Sequence, residues 1–190
     1  ASDIAYHKDK VDRGFKNLVN IWGADHGGYV KRVQAALAAL TGGAGKLDVL
    51  LCQMVRVLNN GEPVKMSKRA GTFVTSRDLI DEVGRDAVRY FLLMRKSDSQ
   101  LVFDVDVARA QSEENPVYYI QMAHARVCGI FRVGEIDAAG ITGADVDWSA
   151  LVEDDERELV KALLGFPGLV TTAARTLAPH LVASYLLDTA

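Results

Sequence analysis

The stretch Leu18-Val19-Asn20-Ile21-Trp22-Gly23 is a short apolar run that ends at a glycine, which is typical of a buried strand. Apolar residues then recur at helical spacing from Tyr29 to Leu40, and a group of glycines beginning at Gly42 ends this helix. A second apolar run, Leu47 to Leu51, has the length of another buried strand. This order predicts a βαβ unit with parallel strands and a right-handed crossover. Such units bind ligands at the carboxyl ends of their strands.

The segment that follows predicts a hairpin and two helices. Asn59-Asn60-Gly61 separates two extended runs, Met54 to Leu58 and Glu62 to Met66, and Asn-Gly favours a hairpin turn because both residues tolerate positive φ. Thr75-Ser76-Arg77-Asp78 has the pattern of a capping box at the start of a helix. A second, strongly apolar helix is predicted over Asp86 to Arg95.

The rest of the chain predicts helices only. Residues 96–112 show no clear period and mark the end of a first domain, after which Asn115 and Pro116 have the pattern of a helix start. We therefore predict an α/β domain over residues 1–111 and an all-α domain over residues 112–190. The later helices are predicted over Asp154 to Leu164, over Pro167 to Leu177 and from Pro179 onward.

Composition excludes several classes of protein. The 190 residues are 49% hydrophobic and 25% charged, as in folded globular domains, and no apolar run approaches the roughly 20 residues of a membrane span. Residues 1–10 have no apolar core of a signal peptide. Cys52 and Cys128 are too few for a disulfide framework or a zinc site, and both are expected to be buried thiols of a cytosolic protein. The first half of the chain is net positive and can attract phosphates, whereas the second half is net negative.

The sharpest chemical signal is the basic loop Val64-Lys65-Met66-Ser67-Lys68-Arg69-Ala70-Gly71. Three cations and a hydroxyl in six residues can surround a polyphosphate, although a plain solvated loop has the same composition. Lys65-Met66-Ser67-Lys68 resembles the KMSK signature of class I aminoacyl-tRNA synthetases.

Motifs along nearly the whole chain narrow the resemblance to bacterial arginyl-tRNA synthetases. The implied fold is a partial Rossmann-like parallel sheet followed by a helical anticodon-binding bundle, and the implied activity is that of an arginine–tRNA ligase. The motifs occur in the family's order: Gly23-Ala24-Asp25-His26, Gly61-Glu62-Pro63-Val64, Phe73-Val74-Thr75, the segment from Asp81 to Arg89, Leu93-Met94-Arg95-Lys96, the segment from Glu114 to Gln121, and Ala123-His124-Ala125-Arg126.

The resemblance implies a site for ATP, with Mg²⁺ on its phosphates and no metal site of the protein's own. Lys65, Ser67 and Lys68 are implied to be catalytic and, with Met66, to hold the phosphates. Gly23, Asp25 and His26 are implied to bind adenosine or the amino acid, with Asp25 contacting either ribose hydroxyls or arginine. Met54 and Val55 are implied to pass near the adenine.

The resemblance also implies contacts to arginine and to tRNA(Arg). Asp3 matches a family aspartate that contacts arginine, although an isolated aspartate at this place can equally be a helix cap. Tyr118, Tyr119 and Arg126 are candidates for tRNA contact, and the two tyrosines can instead pack between domains. The apolar neighbours of His124 favour a hydrogen-bonded core histidine over a catalytic one.

The sequence departs from the family in one respect that bears on activity. The family's His-x-Gly-His signature occurs nowhere in the 190 residues. We therefore expect a piece of a longer, cytoplasmic and monomeric enzyme, inactive on its own. Two alternatives stay open: a non-catalytic module that binds tRNA or ATP, and a class I synthetase for another amino acid.

We expect Lys65→Ala or Lys68→Ala, in the full-length enzyme, to slow arginine activation far more than it weakens arginine binding. The ammonium groups would act on phosphates whose charge redistributes in the transition state, so each loss should cost about 2–4 kcal/mol of activation free energy. Single-turnover kinetics measure the rate, and equilibrium titration with arginine is the internal control. Rates within a few-fold of wild type for both variants would contradict this role.

Overall fold

The computed structural model describes residues 2–64, 74–143 and 146–190. The chain forms two compact units: the first unit is Ala1–Arg56 with Ser97–Val102, and the second unit is Val57–Lys96 with Phe103–Ala190. Residues 65–73, which include the KMSK-like motif, lie outside the described residues.

The first unit contains the predicted βαβ arrangement. Helix α1 (Ser2–Asp12) precedes strand β1 (Asn17–Gly23), which continues through a 3-10 helix (Ala24–Tyr29) into helix α2 (Val30–Thr41) and strand β2 (Lys46–Cys52). The two strands are parallel, with Gly23 opposite Cys52 at the carboxyl end. This confirms the predicted strand–helix–strand order.

A small apolar core holds α2 against the two strands. Leu37 of α2 is almost completely buried against Leu18 of β1 and Leu47 of β2. The Gln34 side chain donates a hydrogen bond of 2.8 Å to the backbone carbonyl of Leu47, which adds a polar link between α2 and β2. The apolar cluster and this hydrogen bond together fix the position of α2 on the two strands.

Helix α1 packs closely against the same core. Val11 lies beside the buried cluster, and a Cβ atom added to Gly45 would come within 2.5 Å of its Cγ2 atom. That distance is shorter than real Cβ contacts, so glycine at position 45 is what permits this approach.

The predicted hairpin is confirmed. Strands β3 (Val55–Asn59) and β4 (Glu62–Pro63) pair antiparallel, and β5 (Leu101–Asp104) lies on the other side of β3. The turn residues Asn60 and Gly61 have φ angles of 52° and 72°. Both angles lie in the left-handed region that the Asn-Gly signal predicts.

The predicted capping box is also present. Thr75 accepts a hydrogen bond from the Asp78 backbone at the start of helix α3 (Ser76–Val83), and the Asp78 carboxylate accepts one from the Thr75 backbone. These bonds from Thr75 lower the pKa of the Asp78 carboxyl from its ordinary value. Helix α4 (Arg85–Leu93) follows directly after Gly84.

Residues 96–112, which show no clear period, contain both a strand and a short helix. The chain leaves β5 at Asp104, whose carboxylate accepts hydrogen bonds from the backbone of Asp106 and Val107 and so begins helix α5 (Val105–Arg109). Phe103 is fully buried, and its ring centroid lies 5.5 Å from that of Phe91 on α4. Both rings of this pair are therefore buried in the second unit.

Three long helices complete the second unit: α6 (Pro116–Val133), α7 (Asp154–Thr176) and α8 (His180–Thr189). The prediction of two helices separated at Pro167 is wrong, because α7 is continuous through that proline. Proline has a helical φ but no N–H, so the unpaired carbonyl is that of Leu163. Leu163 lies on an exposed part of the helix.

The fold class is confirmed as α/β followed by helices. The domain boundary between residues 111 and 112 stays a prediction. Within the described part of the chain, no helix combines the length and apolar character that a membrane span requires.

We expect Leu37→Ala to lower the free energy of unfolding by about 2–5 kcal/mol, because it leaves a cavity in a closely packed core. Leu40→Ala, in the same helix, is the matched control, since Leu37 is 1% exposed and Leu40 is 52% exposed. The measurement is urea unfolding of both variants. Equal losses from the two variants would show that α2 does not pack as described.

Candidate functional site

A cavity of about 390 Å³ lies in the first unit, beside the carboxyl end of β1. Such an edge is where the sequence predicts ligand binding. Two predicted site residues, Asp3 from α1 and His26 from the 3-10 helix, meet in its wall. The other lining residues are Trp22, Tyr29 and Val33.

The wall of this cavity is largely aromatic. The ring centroid of His26 lies 6.4 Å from that of Trp22 and 6.4 Å from that of Tyr29. The guanidinium of Arg32 already lies 5.7 Å from the Tyr29 ring centroid. The cavity therefore combines one carboxylate with rings whose faces attract cations.

Sequence reasoning did not identify Trp22 or Tyr29 as site residues. It assigned Trp22 to a buried strand and Tyr29 to the apolar stripe of a helix, and each fits that pattern. The signal that was available is their position, since both flank Gly23-Ala24-Asp25-His26 where the strand ends.

Gly23 allows the turn that follows β1. A Cβ atom at this position would lie 2.7 Å from the Oδ1 atom of Asp25, so any larger residue would displace that carboxylate. The Asp25 side chain is 81% exposed and lies 3.7 Å from Nε2 of His26. It is not among the residues that line the cavity. Asp3 lines the cavity and Asp25 does not.

Met54 and Val55 follow the carboxyl end of β2. Because Gly23 is paired with Cys52, the residues after both strands leave the sheet at the same edge. Met54 is exposed there, and the backbone N–H of Gln53 donates a hydrogen bond of 2.8 Å to the carbonyl of Ser97. Of the other predicted ATP-binding residues, Lys65, Met66, Ser67 and Lys68 lie outside the described residues.

The predicted tRNA-binding residues lie on α6 and do not form one cluster. Tyr118 is half-buried and lines a groove of about 530 Å³ with Arg85 and Arg109. Tyr119 and Arg126 are exposed, and their spacing of seven residues puts them on one face of the helix, about 10 Å apart along its axis. Their face differs from that of Tyr118, because consecutive helical residues point about 100° apart.

The two arginines in the groove are already paired with acids. Arg109 Nη2 lies 2.5 Å from Glu82 Oε1, and Arg85 Nε lies 3.5 Å from Asp86 Oδ1. A phosphate in this groove would have to compete with these carboxylates. The exposed pair Tyr119 and Arg126 is the better candidate for contact with RNA.

Two expectations for α6 are wrong. His124 and Cys128 are both exposed rather than buried, and the Cys128 Sγ atom lies 3.6 Å from His124 Nε2. Cys52 is partly buried. Val127, an apolar neighbour of His124 on this helix, is exposed as well.

Asn115 joins the end of α5 to the beginning of α6. Its Oδ1 atom accepts hydrogen bonds from the backbone of Val117 and Tyr118, and its Nδ2 atom donates to the carbonyls of Ala108 and Ala110. The side chain is buried, and these four bonds satisfy it completely. It therefore sets the direction in which α6 and its tyrosines leave the core.

Three comparisons with known proteins find relatives of this chain. Residues 120–190 match the family described as the DALR anticodon binding domain. The chain is 53% identical to the arginine–tRNA ligase of Azorhizobium caulinodans, over 100% of this chain and 33% of the relative. It is 52% identical to the arginine–tRNA ligase of Bacillus subtilis, over 99% of this chain and 34% of the relative.

Solved structures give the same result. A Campylobacter jejuni protein assigned as an arginyl-tRNA synthetase superposes with a TM-score of 0.86 at 37% identity, over 98% of this chain and 40% of that chain. This chain therefore matches, along nearly its whole length, a part of arginyl-tRNA synthetases. A Thermus thermophilus arginyl-tRNA synthetase matches with a TM-score of 0.66 at 24% identity, over 90% of this chain and 31% of that chain, and supports the fold alone. The chain thus spans about a third of the length of its curated arginine–tRNA ligase relatives.

We expect Asn115→Ala to lower the free energy of unfolding of the second unit by about 2–4 kcal/mol, because it removes a helix cap and leaves two carbonyls unpaired. Asn115→Ser is the matched comparison, since serine keeps the cap but cannot reach the carbonyls, and it should lose less. Thermal unfolding followed by circular dichroism measures both variants. Identical stability of wild type and Asn115→Ala would contradict the structural role of this side chain.

Proposed function

We propose that the protein containing this chain is an arginine–tRNA ligase. In the proposed reaction, the carboxylate of L-arginine forms a bond to the α-phosphorus of ATP while pyrophosphate leaves. A ribose hydroxyl of the terminal adenosine of tRNA(Arg) then takes the arginyl group from the adenylate, and AMP leaves. The observation that carries the proposal is the cavity between Asp3 and the aromatic wall at the carboxyl end of β1. The match of the whole chain to named arginine–tRNA ligases supports it.

A guanidinium ion suits this cavity. It is planar, permanently charged and weakly hydrated, so it can pair with a carboxylate by two hydrogen bonds and stack on aromatic faces at the same time. Asp3 supplies the carboxylate, and Trp22 and Tyr29 supply aromatic rings in the same lining. We assign Asp3 to the arginine side chain and Asp25 to the nucleotide, because Asp25 is exposed outside the cavity lining.

The proposed ATP site continues along the same edge of the sheet. Gly23 and His26 would approach the adenosine or the amino acid, and Met54 and Val55 would pass near the adenine. Lys65, Ser67 and Lys68 would hold the phosphates and stabilise the leaving pyrophosphate, with Met66 in the same loop.

Mg²⁺ would neutralise part of the phosphate charge. The described residues contain no group of three or more His, Cys, Asp or Glu side chains placed to hold a metal. We propose that the ion is carried mainly by the ATP phosphates, as Mg²⁺ usually is in nucleotide sites.

The helical part is proposed to contact tRNA(Arg). The match of residues 120–190 to an anticodon-binding family supports this. Tyr119 and Arg126 offer an exposed ring and an exposed guanidinium on one helix face, a combination that can stack on an unpaired base and contact a phosphate. Tyr118 is proposed to pack in its groove and orient the helix.

We further propose that the enzyme acts as a monomer in the cytoplasm, where ATP and tRNA are consumed in translation. The isolated 190-residue chain is proposed to bind substrates without activating arginine, because it has no His-x-Gly-His motif. A synthetase for another amino acid remains the competing function, and the acidic, aromatic cavity favours arginine over it.

Amino-acid-dependent exchange of pyrophosphate into ATP tests this function. The full-length protein is assayed with each of the twenty amino acids, with and without tRNA. We expect exchange with arginine alone. Exchange with a different amino acid, or none under any condition, would refute the proposal.

We expect Asp3→Asn, in the full-length enzyme, to raise the KM for arginine about 10- to 100-fold, because a charge-assisted hydrogen bond of about 1.5–3 kcal/mol is lost. The KM for ATP should change little. Asp9→Asn is the control on the same helix, since Asp9 forms an exposed ion pair of 3.0 Å with Arg13. An unchanged arginine KM in Asp3→Asn would show that this residue only caps the helix.

A further inference from the structure

His7 is a buried polar residue to which the proposed reaction gives no role. Its side chain is only 2% exposed, and it lies in the middle of α1, one turn after Asp3. Of the two polar residues that are buried in the described part of the chain, His7 is the one in the first unit. A buried imidazole must be hydrogen-bonded to be tolerated, so its partners indicate what it does.

The two ring nitrogens of His7 bind two different elements. Nδ1 lies 2.7 Å from the backbone carbonyl of Asp3 and 3.4 Å from the Asp3 Oδ1 atom. A carbonyl can only accept, so Nδ1 carries the hydrogen and donates it. Nε2 then accepts a hydrogen bond of 2.6 Å from the side-chain amide of Asn20 on β1.

These contacts connect both walls of the cavity. Asp3 lies in the first turn of α1, and the first turn of a helix frays because its N–H groups have no partners within the helix. The other end of α1 is fixed to the core by Val11. Asn20 is two residues before Trp22, which lines the same cavity as Asp3. The His7–Asn20 hydrogen bond therefore fixes the position of the Asp3 carboxylate relative to the aromatic lining of the cavity.

We propose that His7 is a positioning residue for the guanidinium site: it ties the first turn of α1 to β1 so that the Asp3 carboxylate meets the substrate in a fixed orientation. This inference rests on the proposed function, because it concerns the same cavity. His7 itself touches no substrate. Its effect on arginine binding passes entirely through Asp3 and Asn20.

Three variants of the full-length enzyme separate the contacts. His7→Leu removes both hydrogen bonds at similar volume. His7→Gln keeps an acceptor near the position of Nε2 and retains the bond to Asn20. Asn20→Leu breaks the same bridge from the strand side and provides the test even if His7→Leu does not fold. Lys8→Gln is the control, since Lys8 pairs with Asp12 on the exposed face of the same helix.

We expect His7→Leu and Asn20→Leu each to raise the KM for arginine about tenfold or more, because a small misplacement of a binding group is costly. The KM for ATP, and kcat at saturating arginine, should stay within a few-fold of wild type. His7→Gln should recover most of the loss, and Lys8→Gln should behave as wild type. A purely structural defect would lower the amount of active enzyme and would not move the arginine KM selectively.

The double variant His7→Leu/Asn20→Leu gives a further readout. If the two residues act through one bond, its arginine KM equals that of either single variant, whereas independent effects would multiply. Multiplying effects would overturn the proposal, as would an unchanged arginine KM in the single variants. The proposed function fails separately, if the wild type shows no arginine-dependent exchange of pyrophosphate into ATP.

Discussion

The parallel pairing of β1 with β2 is the constraint on which the first unit depends. Seven residue pairs bring Gly23 opposite Cys52, so both strands end at one edge. Leu37 packs α2 against Leu18 and Leu47 and keeps that edge in place. Parallel strands need a crossover on one face, and here the 3-10 helix that starts the crossover also forms a wall of the cavity. The segment that connects β1 to α2 therefore belongs both to the fold and to the candidate site.

The chemistry of the cavity follows from which side chains this connection brings together. A carboxylate arrives from α1, and rings arrive from the end of β1 and from the 3-10 helix. Their combination suits a planar cation better than an anion or an apolar ligand. The polar link through His7 explains how a carboxylate in a helix's first turn can be held against a strand. In the second unit, Asn115 is likewise a buried polar side chain that links two elements, because it fixes where α6 begins after α5.

Local signals in the sequence predicted much of this fold. Asn60-Gly61, Thr75–Asp78 and Asn115-Pro116 each act within a few residues, and each appears as predicted. Features decided by tertiary surroundings were missed. Pro167 did not break α7, and His124 is exposed although its neighbours are apolar. No period of the sequence shows that Tyr29 lines the same cavity as Asp3. The resemblance to synthetases identified Asp3, but not the aromatic residues or the buried histidine around it.

The most direct test of the account is a crystal structure of the full-length enzyme with bound L-arginine. The account predicts that the guanidinium lies in the cavity beside β1, within hydrogen-bond distance of the Asp3 carboxylate and against the rings of Trp22 and Tyr29. Arginine bound elsewhere, with this cavity filled only by water, would contradict it.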